Sequence, residues 1–487
     1  MARPSRAVLS LVMWGILPVV PALAQWSPDP NVNNPVAVAA DTQSPVLAVS
    51  DGAGGAIFVW RNERFDVGTL SFLYDLLAQR IDASGVTQWS PGGVVLVADT
   101  VSPQATLLRP PFAATADGNG GVIVAWRDVR TDTGDIFARR VNAAGIAQWA
   151  VNGVAVAVAT NLQQRPVIVS DGSGGAIVAW EDRRNGLGNV DIFAQRLTAA
   201  GGAMWLANGL AVTSATGDQL LPAIATDGVN GAIVAWGDNR GLDQEIFAQR
   251  MLAPGMPMWA TDGVALTNVT GIQTRPVVAS DGANGAIVAW EDDRNVADND
   301  VYARRIASGG APQWAANGVQ VASTANATVP AIVSDAAGGA IVVWTDERNG
   351  GGNTDVFAQR LNAVGAPQWA ANGVTVCGAT GGQFFPAVAP DGSGGAVIGW
   401  EDARSDPDDV FAQRLNTAGA GVWSTDGRPV STAPNGQGGV TVAPDGSGGG
   451  IFAWGDGRAV PTGVDVFAAH VDGSGGLPVT LESFTIE

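Results

Sequence analysis

Asp171 to Arg196, DGSGGAIVAWEDRRNGLGNVDIFAQR, decides the fold, because it returns, lightly edited, eight times along the 487-residue chain. Its apolar run closes on a tryptophan each time, at Trp60, Trp126, Trp180, Trp236, Trp290, Trp344, Trp400 and Trp454, mostly 54 to 56 residues apart, with one longer interval of 66 at the start. A period of this length with no helical pattern inside it predicts a propeller or another β array.

Within one copy the residues divide into four strands. Pro166 to Asp171 is apolar and β-branched, Asp171 to Gly175 is a Gly-rich turn, and Gly175 to Asp182 is a second apolar run with both faces buried. Asp191 to Leu197 alternates enough to predict a strand with one less buried side; the turn Thr198 to Gly202 follows, and Trp205 to Val212 completes the unit. Four strands in a meander make one blade, and face-to-face stacking of blades accounts for inner strands that are apolar on both sides. Asp-Gly opens the first hairpin turn in seven copies, where Gly supplies positive φ and Asp bonds nearby amides; Asp335-Ala336 in the remaining copy predicts a strained or different turn.

The ends show how the array closes. Seven copies continue past the third strand to a second tryptophan (Trp89, Trp149, Trp205, Trp259, Trp314, Trp369, Trp423), and the eighth does not. Gln25-Trp26 and the apolar Asn34 to Ala40 are the missing piece, displaced to the other terminus. The expectation is an all-β, eight-bladed β-propeller closed by an N-terminal strand that completes the last blade, which removes an exposed sheet edge. The domains expected are a signal peptide at 1–24, the propeller at 25–476, and at 477–487 a linker or the truncated start of a sorting or Ig-like domain.

Met1 to Ala24 carries Arg3 and Arg6, an apolar run from Ala7 to Val20 and the small-x-small sequence Ala22-Leu23-Ala24, the pattern of a cleaved secretory signal. A secreted or cell-surface protein is expected, without membrane insertion and as a monomer. Cys377 is the single cysteine, so no internal disulfide is possible; a small buried residue is its simplest reading. The formal net charge of −19 opposes the phosphate backbone and excludes nucleic acid as the expected partner. All 26 basic residues other than His470 are arginine.

A four-stranded meander places its first and third turns on one rim, and its second turn and the connection between blades on the other. The first rim carries uniform Gly-rich turns; the second carries the variable loops, where a site is expected. The Asp-x-Arg pairs of that rim (Asp128/Arg130, Asp182/Arg184, Asp238/Arg240, Asp292/Arg294, Asp346/Arg348, Asp402/Arg404, Asp456/Arg458, with Asn62/Arg64 in the first copy) recur in every blade. Recurrence favours a brace over a catalytic group. The same holds for Arg80, Arg140, Arg196, Arg250, Arg305, Arg360 and Arg414, and His470 stands where the eighth copy would have its arginine.

Two insertions break the symmetry. The loop after Trp60 adds Phe65, Leu70, Phe72, Leu73 and Tyr74, and the connection after Trp89 adds Leu107 to Phe112, including Arg109. Phe65, Phe72, Tyr74, Arg109 and Phe112 are the candidate ligand-binding residues, an aromatic and apolar lip suited to a sugar ring or a peptide, or else a patch that packs on itself. The acidic loops Asp298-Asn299-Asp300 and Asp406-Pro407-Asp408-Asp409 lack the alternating ligand series of a calcium loop, so no metal or cofactor is expected.

The run Arg165 to Asp171, then Ala176 to Arg184, then Asp191 to Trp205 resembles the repeats of sialidase-like (BNR or Asp-box) propellers of secreted bacterial proteins. Where that family carries Ser-x-Asp-x-Gly-x-Thr-Trp in the third turn, this chain reads, for example, Asn142 to Trp149 (NAAGIAQW), a degenerate box. The resemblance implies a propeller and a possible glycan-directed activity; the family's arginine triad and Tyr/Glu pair have no placed counterparts, Tyr74 and Tyr302 being the only tyrosines. Three readings follow: a non-catalytic propeller binding a carbohydrate or protein at the variable rim, a sialidase-like glycan hydrolase or lyase, and a structural surface module. No catalytic residue is assigned, because the carboxylates recur with the repeat.

Overall fold

The computed structural model describes residues 26–477 apart from 68–69, 99–111, 131–133, 187, 296–297, 325, 351, 406 and 459–462. The signal peptide and the tail after Leu477 therefore lie outside the described residues. Among the described residues thirty-two strands form eight antiparallel four-stranded sheets, one per repeat. The first strands of blades one to eight are Thr42–Ser50, Phe112–Ala116, Gln163–Ser170, Gln219–Thr226, Gln273–Ser280, Thr328–Ser334, Gln383–Pro390 and Gln437–Pro444. They pack on one another around a central channel, so the chain is an eight-bladed β-propeller.

Closure is as the sequence predicts. Asn34–Ala37 pairs antiparallel with Asp465–Val471 as the outer strand of blade eight. Trp26, 2% exposed, takes the place of the missing eighth outer tryptophan, and its indole Nε1 donates to the Ala83 carbonyl of blade one at 3.0 Å. The other outer tryptophans do the same one blade onward: Trp205 Nε1 donates to the Ala253 carbonyl at 3.0 Å.

Two strand boundaries differ from the sequence reading. The first strand of blade three starts at Gln163, with a bulge between Gln164 and Val167 that the sequence reading missed. The outer strand spans only Leu210–Thr213, because Asn208 and Gly209 both turn with positive φ (62° and 84°) and break the run after Trp205. The third strand is also more enclosed than expected. All seven residues of Asp191–Leu197 are buried, since the outer strand covers one edge and the neighbouring blades cover the faces.

The core lies between blades. Trp60, Trp126, Trp180, Trp236, Trp290, Trp344, Trp400 and Trp454 are each at most 1% exposed, and each cluster of buried residues draws on two adjacent sheets. Burial of one indole, about 200 Å² at about 25 cal/mol/Å², is worth about 5 kcal/mol before entropic costs, which is why the repeat keeps its tryptophan. In the first turn, Asp171 Oδ1 accepts the amides of Ser173 and Gly175 at 2.8 and 2.9 Å. Blade six forms the same turn with Asp335, so Ala336 is held at φ 58°, a strained position for a residue with a Cβ.

Candidate functional site

The repeated charges are consumed by the architecture. Asp182 is 0% exposed; its Oδ2 accepts the Trp180 indole at 2.8 Å, and Arg184 meets both carboxylate oxygens at 2.9 and 2.6 Å. The same guanidinium lies 3.8 Å over the Phe193 ring and donates to the Asn208 carbonyl at 2.7 Å, tying the second, third and outer strands of one blade together. Blade one departs: its Arg64 pairs with Asp75 at 3.1 Å.

The third-strand arginines act between blades. Arg196 Nε donates to Asp171 Oδ2 at 2.9 Å, and its Nη1 reaches the Ala253 carbonyl of the next blade at 3.2 Å. In blade eight, His470 Nε2 lies 2.9 Å from Asp445 Oδ2 and fills the arginine's place. Burial alone would raise the Asp445 carboxyl, but bonds from His470, Ser447 and the Ser447 and Gly449 amides outweigh it and hold it far below the usual range. Cys377 is buried beside Arg404, 3.1 Å from its Nη2, and burial pushes its thiol up to about 12. A thiol so rarely ionised makes a poor nucleophile.

On the variable rim, the blade-one insertion is a lengthened hairpin. Ala56–Asp66 and Ser71–Ile81 have 11 residues each where Ala176–Asp182 and Asp191–Leu197 have 7, so the hairpin rises about 13 Å above its neighbours at about 3.3 Å per residue. Phe65 and Phe72 face each other across it, 51% and 46% exposed, edge to face at 5.2 Å. Tyr74 is half-buried under the Arg61 guanidinium at 4.8 Å; burial, then the Glu63 charge, raises its phenol, with Arg61 opposing. Phe112 does not join this pair. It is 1% exposed, packed with Ile57, Val59, Val122 and Val124 between blades one and two, because it opens an inner strand and not a loop. Arg109 lies outside the described residues.

A second aromatic pair on this rim was missed in the sequence. Phe384 and Phe385 sit with ring centroids 6.3 Å apart, and Phe385 is 41% exposed. They border a cleft of about 320 Å³ whose other walls are Asn299 of blade five, Asn326, Thr328, Val329, Thr345, Glu347 and Thr354 of blade six. Asn326 Nδ2 donates to Glu347 Oε2 at 3.2 Å, and the Thr345 hydroxyl donates to the Thr328 carbonyl at 3.3 Å. The cleft thus offers amide, hydroxyl and carboxylate groups beside an aromatic face. The available signal was the divergence of repeats: Glu347 aligns with Glu63 in blade one but with Val129, Arg183, Asn239, Asp293, Ala403 and Gly457 in the other sister loops.

The bulge in the inner strand recurs around the ring. In five blades it places a non-glycine residue at left-handed φ just before a proline: Arg165 (51°), Leu221 (56°), Arg275 (50°), Val329 (53°) and Phe385 (51°). Gly439 (70°) has the corresponding place in blade eight. The backbone device repeats while the side chain changes, which is how a repeat fold varies one surface.

Among the described residues no group of three or more His, Cys, Asp or Glu side chains is arranged to hold a metal ion. In the acidic loop of blade five, Asp300 is 2% exposed and accepts from Asn295 Nδ2 at 2.5 Å.

No protein-family description and no curated protein matches the chain. Solved structures to which it is similar include a polysaccharide lyase (TM-score 0.45, 8% identity, 77% of this chain and 90% of that one). They also include an α-L-arabinanase of Penicillium chrysogenum (0.39, 12%, 79% and 98%) and a Hadza microbial sialidase (0.36, 13%, 76% and 75%). At such identities and TM-scores these likenesses carry no argument about activity.

Proposed function

We propose that the protein is an exported, monomeric propeller that holds a carbohydrate on its variable rim, in the cleft bordered by Phe384 and Phe385. The observation that carries this reading is the composition of the cleft: two aromatic rings beside Asn299, Asn326, Thr328, Thr345 and Glu347, a mixture of stacking face and hydrogen-bonding groups suited to a sugar ring. The exposed Phe65–Phe72 pair on the blade-one hairpin offers a second stacking face on the same rim. Binding without chemistry is the leading reading, since Glu347 is the one carboxylate among the described lining residues and glycoside hydrolysis ordinarily uses two.

A glycan hydrolase or lyase is the second reading. Glu347 favours it, as a carboxylate that faces the cleft, although Glu63 and Asp293 hold carboxylates at the same place in their repeats. Glycan-array binding of the wild type and of the Phe384→Ala/Phe385→Ala variant tests the first reading, with loss of signal expected in the variant. Equal signal from both would overturn it. Release of oligosaccharides from a polysaccharide panel by the wild type, abolished in Glu347→Gln, would establish the second.

A further inference from the structure

We propose that the mouth of the central channel is a binding site for a free hydrocarbon carboxylate, its apolar body in the channel and its headgroup on Arg165 and Arg275. Below the bulge the wall is built from apolar residues of successive inner strands, such as Val167, Pro222, Val277 and Pro330, around a cavity of about 670 Å³. That volume lies within the range of small-molecule sites, about 300 to 1,000 Å³. Val167 and Val277 remain only half-buried there, a concave hydrocarbon surface that gains free energy from an apolar occupant.

Both arginines line the same cavity and enter it from the left-handed bulge position. Their bonding differs from that of the other ion-paired arginines. Arg165 meets Glu181 at 3.7 Å and Arg275 meets Glu291 at 3.3 Å, with the arginine side chains 46% and 60% exposed; in the remaining arginine ion pairs the figure runs from 6% to 35%. The two glutamates have other donors, the amides of Leu221 at 2.9 Å and Val329 at 2.7 Å. Each guanidinium, largely exposed and holding its glutamate loosely, keeps donors for a further anion, and its planar fork matches a carboxylate. This selects an anion against the overall field of a chain with 45 acidic residues.

This site adjoins the proposed sugar cleft, sharing Val329 with it, but has neither Phe384 nor Phe385 in its lining. Isothermal titration of the mature chain with decanoate, below its micellar concentration, should show one bound molecule per chain. Decyltrimethylammonium, with the same tail and the opposite charge, should give no saturable binding. Arg165→Gln/Arg275→Gln should weaken decanoate at least about tenfold, the scale of losing charge-assisted bonds. Glu181 and Glu291 keep the amides of Leu221 and Val329, so the variant should remain folded, with a cooperative melting transition that checks it. Phe384→Ala/Phe385→Ala should bind decanoate within twofold of the wild type whether or not the carbohydrate reading holds. Absence of decanoate binding, equal binding of the cation, or unchanged affinity in the double arginine variant would overturn the proposal.

Discussion

Replacing Trp236 by alanine removes the largest side chain that blade four packs against blade three. The indole is 0% exposed, stacks on Phe247 with centroids 6.3 Å apart, and belongs to the cluster containing Ile177, Ala179, Ile192 and Ala194 of the preceding blade. Burial of about 200 Å² at about 25 cal/mol/Å² sets a gross contribution of about 5 kcal/mol. The indole Nε1 also donates to Asp238 Oδ2 at 2.8 Å, yet that buried carboxylate retains Arg240 Nε at 2.8 Å, Nη2 at 2.6 Å and the Arg240 amide at 3.0 Å. No unpaired charge is created, so the cost is the transfer term and the cavity, about 3 to 5 kcal/mol. Guanidinium unfolding followed by far-ultraviolet circular dichroism should show the midpoint falling with little change in slope. An unchanged midpoint would refute the assignment of this tryptophan to the inter-blade core.

Ala336→Gly should raise stability by about 0.5 to 1 kcal/mol, because glycine relieves a residue held at φ 58°; equal or lower stability in the same titration would show that the turn is unstrained. Gly263→Ala should do the reverse, since a Cβ there would lie 2.6 Å from Trp236 Cη2 at a φ of 89°, and a melting temperature equal to the wild type would contradict that packing. Stability should also pass through a maximum in mild acid. Burial raises the carboxyls of Asp191, Glu245, Asp300, Asp355, Asp409 and Asp465 above their unfolded values, so the fold binds their protons more tightly and gains stability as pH falls from neutrality through the folded values. Asp128, Asp391, Asp445 and Asp472 are depressed, and their contribution, present above the ordinary carboxylate range, is lost as pH falls through their folded values. Calorimetric melting at neutral, mildly acidic and strongly acidic pH checks the sign; a steady fall from neutrality would refute it.

The blade pattern was legible because each blade satisfies itself locally. Trp180, Asp182, Arg184 and Phe193 brace one sheet within a span of 14 residues, so their recurrence is visible in the chain. The candidate site was less so. Phe65 and Phe72 stand out as an insertion, and the structure exposes them; Phe112 looks the same in the sequence and is buried, because strand register, not composition, decided its neighbours. Phe384 and Phe385 carry no mark in the sequence, since nothing nearby in the chain indicates that Asn299 and Glu347 stand beside them.

By itself the sequence determined the period, the eight blades and the closure through Trp26, because these follow from hydrophobic burial repeated at fixed spacing and from one tryptophan displaced to the other terminus. Only the tertiary structure decided which variable residues share a surface. The bulge that lifts Arg165 and Arg275 to the channel mouth costs backbone strain that no pattern of apolar residues announces. The cleft, likewise, forms where the ends of three blades meet around the axis, so its chemistry is set by the ring and not by any one repeat.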